Sequence, residues 1–78
     1  MQNIFDKEFL KELGKNIALH RKVKGLTQLD LAIRMDNHAE QIGRIERGQL
    51  NVTICTLKKI AESLEMPLQD LFNFHKIE

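Results

Sequence analysis

The sequence predicts an all-α fold in which five helices pack into one compact bundle. Apolar residues recur three and four positions apart along successive segments, which is the spacing of one helix face. Turn-forming residues separate these segments, and none of them shows the strict apolar–polar alternation of a strand. A chain of 78 residues allows one domain, 1–78, and because four Phe are its only aromatic residues, the small core must be mostly aliphatic.

The first helix is predicted from about Asp6 to Lys24, and Gly25 is expected to end it. The side chain of Asp6 can accept an amide hydrogen bond at the helix start. The expected inner face consists of residues at helical spacing, namely Phe9, Leu10, Leu13, Ile17 and His20. We interpret His20 as a partly buried, hydrogen-bonded side chain rather than as a ligand.

Two short helices with a tight bend between them are predicted for residues 27–47. Thr27 precedes the first of them, where its hydroxyl can accept an amide hydrogen bond. Three residues at helical spacing form the inner face of that helix: Leu31, Ala32 and Met35. Asp36 and Asn37 then interrupt the pattern, because short polar side chains tolerate left-handed backbone and favour turns.

The second helix of the pair is predicted from about His38 to Arg47, and Gly48 is a typical residue just past a helix end. On a helical wheel, Ile42 and Ile45 share the side that must meet a core. The opposite side is polar and consists of Glu40, Gly43, Arg44 and Arg47, with Ala39 and Gln41 on its flanks. Such a face is equally typical of a solvated surface. Because the helix follows a short turn, however, it also matches the geometry that places a recognition helix in the DNA major groove.

Several ordered motifs resemble the signature of the phage repressor and Cro-like helix-turn-helix family, the XRE family: GLTQ at 25–28, LA at 31–32 and IGRIERG at 42–48, with LGKNI at 13–17 before them and NVTICTLKKIAESLEMPLQDLF at 51–72 after them. The resemblance covers nearly the whole chain. It implies a lambda-repressor-like fold with the helix-turn-helix at 27–47, and binding to double-stranded DNA. Two departures, Asp36 in place of the usual Gly and Asn37 in place of an apolar residue, predict a turn of altered shape.

Four residues on the outer edge of the second helix are expected to read bases: Ala39, Glu40, Gln41 and Arg44. Arg44 can reach the two acceptors of a guanine, and Gln41 suits adenine. Glu40 can accept from a cytosine amino group, or it acts mainly to reject wrong sequences. Gly43 costs up to about 1 kcal/mol of helix propensity, and its missing side chain is expected to let the helix approach the groove closely.

Four further residues are candidates for phosphate contacts: Gln28, His38, Arg47 and Gln49. Gln28 stands at a helix start, where amide groups favour a phosphate. The resemblance also implies this role, because the family uses a Gln at the matching position to clamp the DNA backbone. The alternative is that Gln28 is only an exposed residue at a helix start.

Arg21 and Glu46 are predicted to form a structural ion pair. Glu46 lies beside the face of Ile42 and Ile45, so it is expected to be half buried, and a half-buried carboxylate needs a partner. The resemblance supplies that partner, because the family pairs an Arg near the end of the first helix with a Glu at this position. Such a pair would hold the first helix to the recognition helix.

Two more helices are predicted after residue 47. The fourth helix is expected to be capped by Thr53 and to end at about Leu64. Its inner face is expected to contain Leu57, Ile60, Ala61 and Leu64, and Leu50 or Val52 is expected to tuck inward before it. Met66 and Pro67 break the chain. The last short helix contains Leu68, Leu71 and Phe72, and a C-terminal tail follows at 73–78.

A homodimer is expected because one short helix reads only a few base pairs, whereas two half-sites multiply the specificity. The candidate dimer surface consists of apolar residues from the first helix and the tail: Leu19, Val23, Phe74 and Ile77. The alternative is that the tail folds back on its own core.

Composition excludes several classes of protein. A hydrophobic content of 42% and a charged content of 29% are typical of soluble globular proteins, and no apolar run approaches the ~20 residues of a membrane span. One Cys excludes a disulfide framework, and the dispersed His residues predict no metal site. The net charge of +1 is weak evidence for a nucleic-acid partner, although six basic residues enrich the first helix: Lys7, Lys11, Lys15, Arg21, Lys22 and Lys24. The first three are as compatible with a solubilising role as with phosphate contacts.

We therefore expect a sequence-specific DNA-binding transcriptional regulator in the cytoplasm, acting as a repressor dimer on a two-fold symmetric operator. No cofactor or enzyme activity is expected, because the chain has no nucleophile–base pair and no phosphate loop, and Cys55 is interpreted as a small packing residue. The alternative is a protein-interaction module, such as the antitoxin of a toxin–antitoxin pair, with a toxin as protein partner and DNA binding as autoregulation.

Overall fold

The computed structural model describes residues 5–74, which form four α-helices and a final 3-10 helix. In chain order these are α1 (Lys7–Val23), α2 (Gln28–Met35), α3 (Ala39–Glu46), α4 (Ile54–Ser63) and the 3-10 helix η1 (Leu68–Phe72). The all-α prediction is confirmed, with one correction: the fifth element is a 3-10 helix. A segment of five residues is short enough for this tighter winding, which proteins use in short pieces.

Side chains at the helix starts fix most of the predicted boundaries. Asp6, Thr27 and Thr53 each accept a hydrogen bond from the amide three residues later, at 3.0, 3.0 and 3.2 Å. Asp30 completes a capping box, because its carboxylate accepts from the Thr27 amide at 2.9 Å. Only α3 among the four α-helices begins without a side-chain cap, after His38.

Left-handed residues end the helices. Gly25 and Gly48 adopt φ values of 75° and 74°, which glycine reaches without steric cost. Asp36 adopts φ 55° and ψ 49° at the end of α2, so the departure from Gly leaves a left-handed turn in place. The Asn37 amide donates to the Ala32 carbonyl at 2.8 Å and closes this turn. The bend between α2 and α3 is therefore formed, and α3 begins at Ala39.

The core is aliphatic, as predicted, and every helix contributes to it. The buried apolar side chains are Leu10, Leu13, Ile17, Leu31, Ala32, Met35, Ile42, Ile45, Leu57, Ile60, Ala61, Leu64 and Leu71. These residues pack α2 and α3 against α1, α4 and η1. The orientation of α3 is therefore set by the whole bundle.

The sequence prediction was wrong for Phe9, which is 43% exposed instead of belonging to the inner face of α1. Its ring lies at the margin of that face, 5.7 Å from the ring of Phe74 between centroids. His20 is half-buried, and both Leu50 and Val52 pack against the core, where one of them was expected.

Two residues for which the sequence predicted no role position α1. The side-chain amide of Asn16 is buried and donates to the carbonyl oxygens of Asp70 and Leu71, at 3.1 and 2.8 Å. It thereby holds η1 against α1. Gly14 faces the end of α3, where a Cβ would lie 2.6 Å from the Ile45 carbonyl oxygen. The two helices can approach this closely only because Gly14 has no side chain.

The tail is described as far as Phe74, which packs against the core. This contact agrees with a tail that folds back, at least up to that residue. Ile77, the other tail residue of the predicted dimer surface, lies outside the described residues. Within the part of the chain that the structure describes, no helix has the length and apolarity needed to cross a membrane.

Candidate nucleic-acid interface

The outer edge of α3 is open to solvent. Ile42 and Ile45 are 1% and 3% exposed, which fixes the inner side of the helix in the core. Glu40, Arg44 and Arg47 are all exposed on the side that faces away from them. The side chain of Arg44 makes no hydrogen bond or ion pair with another residue between 5 and 74. The guanidinium expected to read guanine is therefore free to meet a ligand.

The flanking residues of this edge are less open. Ala39 is half-buried and packs against the core. Gln41 is also half-buried, and it lines a small depression together with residues of the loop before α4, including Leu50 and Val52. The structure thus brings Glu40 and Arg44 together on the outer edge, with Ala39 and Gln41 to either side.

A buried ion pair connects α1 to α3. Arg21 donates from Nε to Glu46 Oε2 at 2.7 Å and from Nη2 to Glu46 Oε1 at 2.9 Å. The two side chains are only 8% and 7% exposed. Arg21 also donates from Nη1 to the Leu26 carbonyl at 2.7 Å. The hydrogen bonds to the Glu46 carboxylate raise the pKa of Arg21, so the guanidinium stays charged.

Gln28 belongs to the same network. Its side-chain Nε2 donates to Glu46 Oε1 at 3.0 Å, so the amide that was expected to clamp a phosphate is half-buried and turned toward α3. A phosphate contact from this side chain has to use its second amide hydrogen or follow a rearrangement. Gln28 therefore has a structural partner in the free protein, and its phosphate contact stays a prediction.

Gly43 has a different role from the one expected. A Cβ at this position would lie 3.0 Å from Nη1 of Arg47 and 3.3 Å from Oε1 of Gln28. The space left by the missing side chain is thus filled by the protein's own side chains and is not open to a duplex. Gly43 allows Gln28 to reach Glu46, which is a packing role.

The remaining phosphate candidates lie at the two ends of α3. His38 is exposed just before the helix, and its backbone amide donates to Asn37 Oδ1 at 2.7 Å. Arg47 and Gln49 are exposed at the other end, where Nε of Arg47 donates to Oε1 of Gln49 at 3.3 Å. Phosphates that border a groove occupied by α3 would therefore meet polar side chains at both ends of the helix.

Other kinds of site find no support in residues 5–74. This part of the chain holds no cluster of three His, Cys, Asp or Glu side chains that could bind a metal ion. Cys55 is exposed on α4, so its interpretation as a packing residue was wrong. It lies two positions before buried Leu57, which places it on the other side of the helix.

An exposed polar helix that is held by buried isoleucines and follows a tight turn defines a helix-turn-helix DNA-binding domain. Residues 17–71 match the family model HTH_3, which is described as helix-turn-helix. The chain therefore belongs to this helix-turn-helix family, which is of the XRE or Cro/C1 type, as the sequence motifs indicated.

Relatives and solved structures agree with this assignment. The uncharacterized HTH-type transcriptional regulator y4dJ of Sinorhizobium fredii is 37% identical over 54 residues, which are 69% of this chain and 70% of y4dJ. The HTH-type transcriptional regulator SlrR of Bacillus subtilis is 36% identical over 62 residues, or 78% of this chain and 41% of SlrR. The restriction-modification controller protein C.AhdI of Aeromonas hydrophila is similar in structure, with a TM-score of 0.79 and 33% identity over 81% of this chain and 96% of that one. The chain is thus the DNA-binding domain of an HTH-type transcriptional regulator, a class that is not enzymatic.

Proposed function

We propose that this chain is a repressor that binds a two-fold symmetric operator as a homodimer in the cytoplasm, with α3 of each copy in the major groove. The observation that carries this proposal is the open outer edge of α3. Glu40 and Arg44 are exposed there, while the opposite side of the helix is buried and tied to α1 through Glu46. A rigid helix with a free guanidinium is suited to reading guanine.

Dimer formation through α1 is part of the proposal. Leu19 and Val23 are 57% and 76% exposed and lie four residues apart, so they form an apolar strip outside the core. Phe74 is less suited to this role than expected, because it is half-buried against its own core. Sedimentation of the wild-type chain and of a Leu19→Ser/Val23→Ser variant tests this surface. A wild-type dimer that the variant converts to monomer supports it, and an unchanged dimer contradicts it.

Selection of bound sequences from a random DNA pool tests the proposed function directly. We expect enrichment of an inverted repeat whose half-sites lie about one helical turn, roughly 10 base pairs, apart. Affinity for the enriched site should fall steeply with salt, because binding displaces counterions from the phosphates. A pool with no enriched sequence, or binding that is equal for all duplexes, would contradict sequence-specific recognition.

A further inference from the structure

The first turns of α1 lie against the C-terminal end of the recognition helix. Gly48, which closely follows α3, packs on Lys11: a Cβ on Gly48 would lie 2.8 Å from the Lys11 amide nitrogen and 2.9 Å from its Cα. Since this contact involves the backbone of α1, it sets where the side chains near Lys11 stand relative to α3.

A surface depression of about 360 Å³ is formed at this junction. Its lining residues come from the start of α1 and from the end of α3: Phe5, Lys7, Lys11, Arg47, Gly48 and Gln49. Three of them are cations, one is a neutral amide, and none is a carboxylate. In a chain with a net charge of +1, this depression is therefore a local concentration of positive charge.

A second depression of similar size, about 350 Å³, shows that this composition is not general on the surface. It is lined by Arg34, Lys59, Glu62, Ser63 and Glu65, so its two cations are balanced by two carboxylates. An anion would be attracted to the first depression and would gain little in the second.

The cations at the first depression are not engaged by acidic partners in the described part of the chain. The ion pairs of residues 5–74 involve Arg21, Lys24 and Lys58, and none involves Lys7, Lys11 or Arg47. The side chain of Arg47 donates to the neutral Gln49. These donors can therefore be directed to an external anion, and together they offer charge and hydrogen bonds to one depression.

We infer that Lys7 and Lys11 act with Arg47 and Gln49 as a phosphate-binding cluster, which takes a backbone phosphate of the DNA beside the end of α3. This inference rests on the proposed function, because α3 must occupy the groove for the bordering strand to reach the cluster. The two lysines would lengthen the footprint of each copy along the backbone without reading bases. A simpler role for them is to offset the negative end of the α3 dipole, which would affect the free protein only.

The test compares Lys7→Gln, Lys11→Gln and their double variant with Lys59→Gln in the full chain, on the wild-type preferred site and on an unrelated duplex. Glutamine keeps the Cγ atom of Lys11 that contacts Gly48. The double variant should make the slope of log affinity against log salt shallower by up to about 0.9, the value for one neutralised phosphate, and each single substitution should give part of that change. Both duplexes should lose affinity by the same factor. Lys59→Gln removes the same charge at the balanced depression and should leave the slope unchanged.

The outcomes separate this inference from the proposed function. If the wild type binds its site and the double variant keeps the wild-type slope, the cluster is wrong and the proposed function stands. If, in addition, the double variant without DNA melts at a lower temperature than the wild type, the two lysines stabilise the negative end of the α3 dipole instead. If the wild type binds no DNA, both proposals fall.

A chemical probe distinguishes a DNA phosphate from free phosphate. In the DNA site, single phosphates are replaced one at a time by neutral methylphosphonates. At the phosphate that the cluster contacts, this replacement should abolish the difference in affinity between the wild type and the double variant. Inorganic phosphate at millimolar concentration is titrated in parallel while the Gly48 amide is followed by NMR. Saturation by inorganic phosphate without any such DNA position would mean that the cluster takes a free anion, which would overturn the inference.

Discussion

Substitution of Glu46 by Ala should destabilise the fold strongly, because Glu46 connects three elements. Its carboxylate accepts two hydrogen bonds from Arg21, at 2.7 and 2.9 Å, and one from Gln28 at 3.0 Å. With the side chain removed, the Arg21 guanidinium stays buried and keeps only its bond to the Leu26 carbonyl. Removing one partner of a buried pair costs about 3–5 kcal/mol, and the remaining bond to Leu26 favours the lower end, about 3 kcal/mol.

Thermal unfolding followed by circular dichroism measures this effect. For a domain of this size, 1 kcal/mol corresponds to roughly 4–8 °C in Tm, so we expect Glu46→Ala to lower Tm by roughly 12–24 °C. Glu62→Ala is the matched control, because it removes a carboxylate that pairs with Lys58 at 2.8 Å on an exposed helix surface. The control should change Tm little. A Glu46→Ala melt within a degree of wild type would refute the structural role of the pair.

Three further changes test the packing and the caps. Gly14→Ala should cost about 1–3 kcal/mol, because the added Cβ collides with carbonyl groups at the end of α3, and a chemical denaturation midpoint equal to wild type would show that the helices can separate freely. Asn16→Ala should cost about 1–3 kcal/mol, since the buried Leu71 carbonyl loses the side-chain donor and the Asp70 carbonyl keeps only the Asn73 amide, and amide exchange should rise in η1 if this is the reason. Hydrogen bonds from Thr27 lower the pKa of Asp30 below its ordinary value of 3.8. The ionised carboxylate therefore stabilises the fold above pH 3.8, and this stabilisation disappears as the pH falls through the lowered pKa. The Tm difference between wild type and Asp30→Asn should therefore be positive near neutral pH and shrink in strong acid, and a difference independent of pH would contradict the cap.

The sequence predicts those features of the fold that local chemistry determines. The start of α1 at Asp6 and of α4 at Thr53 follows from side chains that bond an amide three residues away. The ends at Gly25 and Gly48 follow from the conformational freedom of glycine. The burial of Ile42 and Ile45 follows from helical periodicity, so the same periodicity also identifies the open side of α3.

Features that depend on which helices meet could not be predicted from such patterns. Gly43 lies opposite the core on a helical wheel, yet side chains of Gln28 and Arg47 cover it, because α2 crosses that side of α3. Asn16 looks like any polar residue on α1 until η1 brings two carbonyl groups to it. For Gly14 there was a signal, a helix-interior glycine with unfavourable propensity, and it pointed to a close helix contact.

The central claim is that the free edge of α3 reads the operator, and binding of Arg44→Ala to the selected site tests it most directly. Fluorescence anisotropy on that site and on its single-base variants should show a loss of about 1–3 kcal/mol, together with relaxed preference at one guanine of each half-site. Arg34→Ala, which removes an arginine that donates to the Ser63 carbonyl away from α3, should keep both affinity and preference. If Arg44→Ala binds as tightly as wild type and prefers the same sequence, α3 does not read DNA through this side chain.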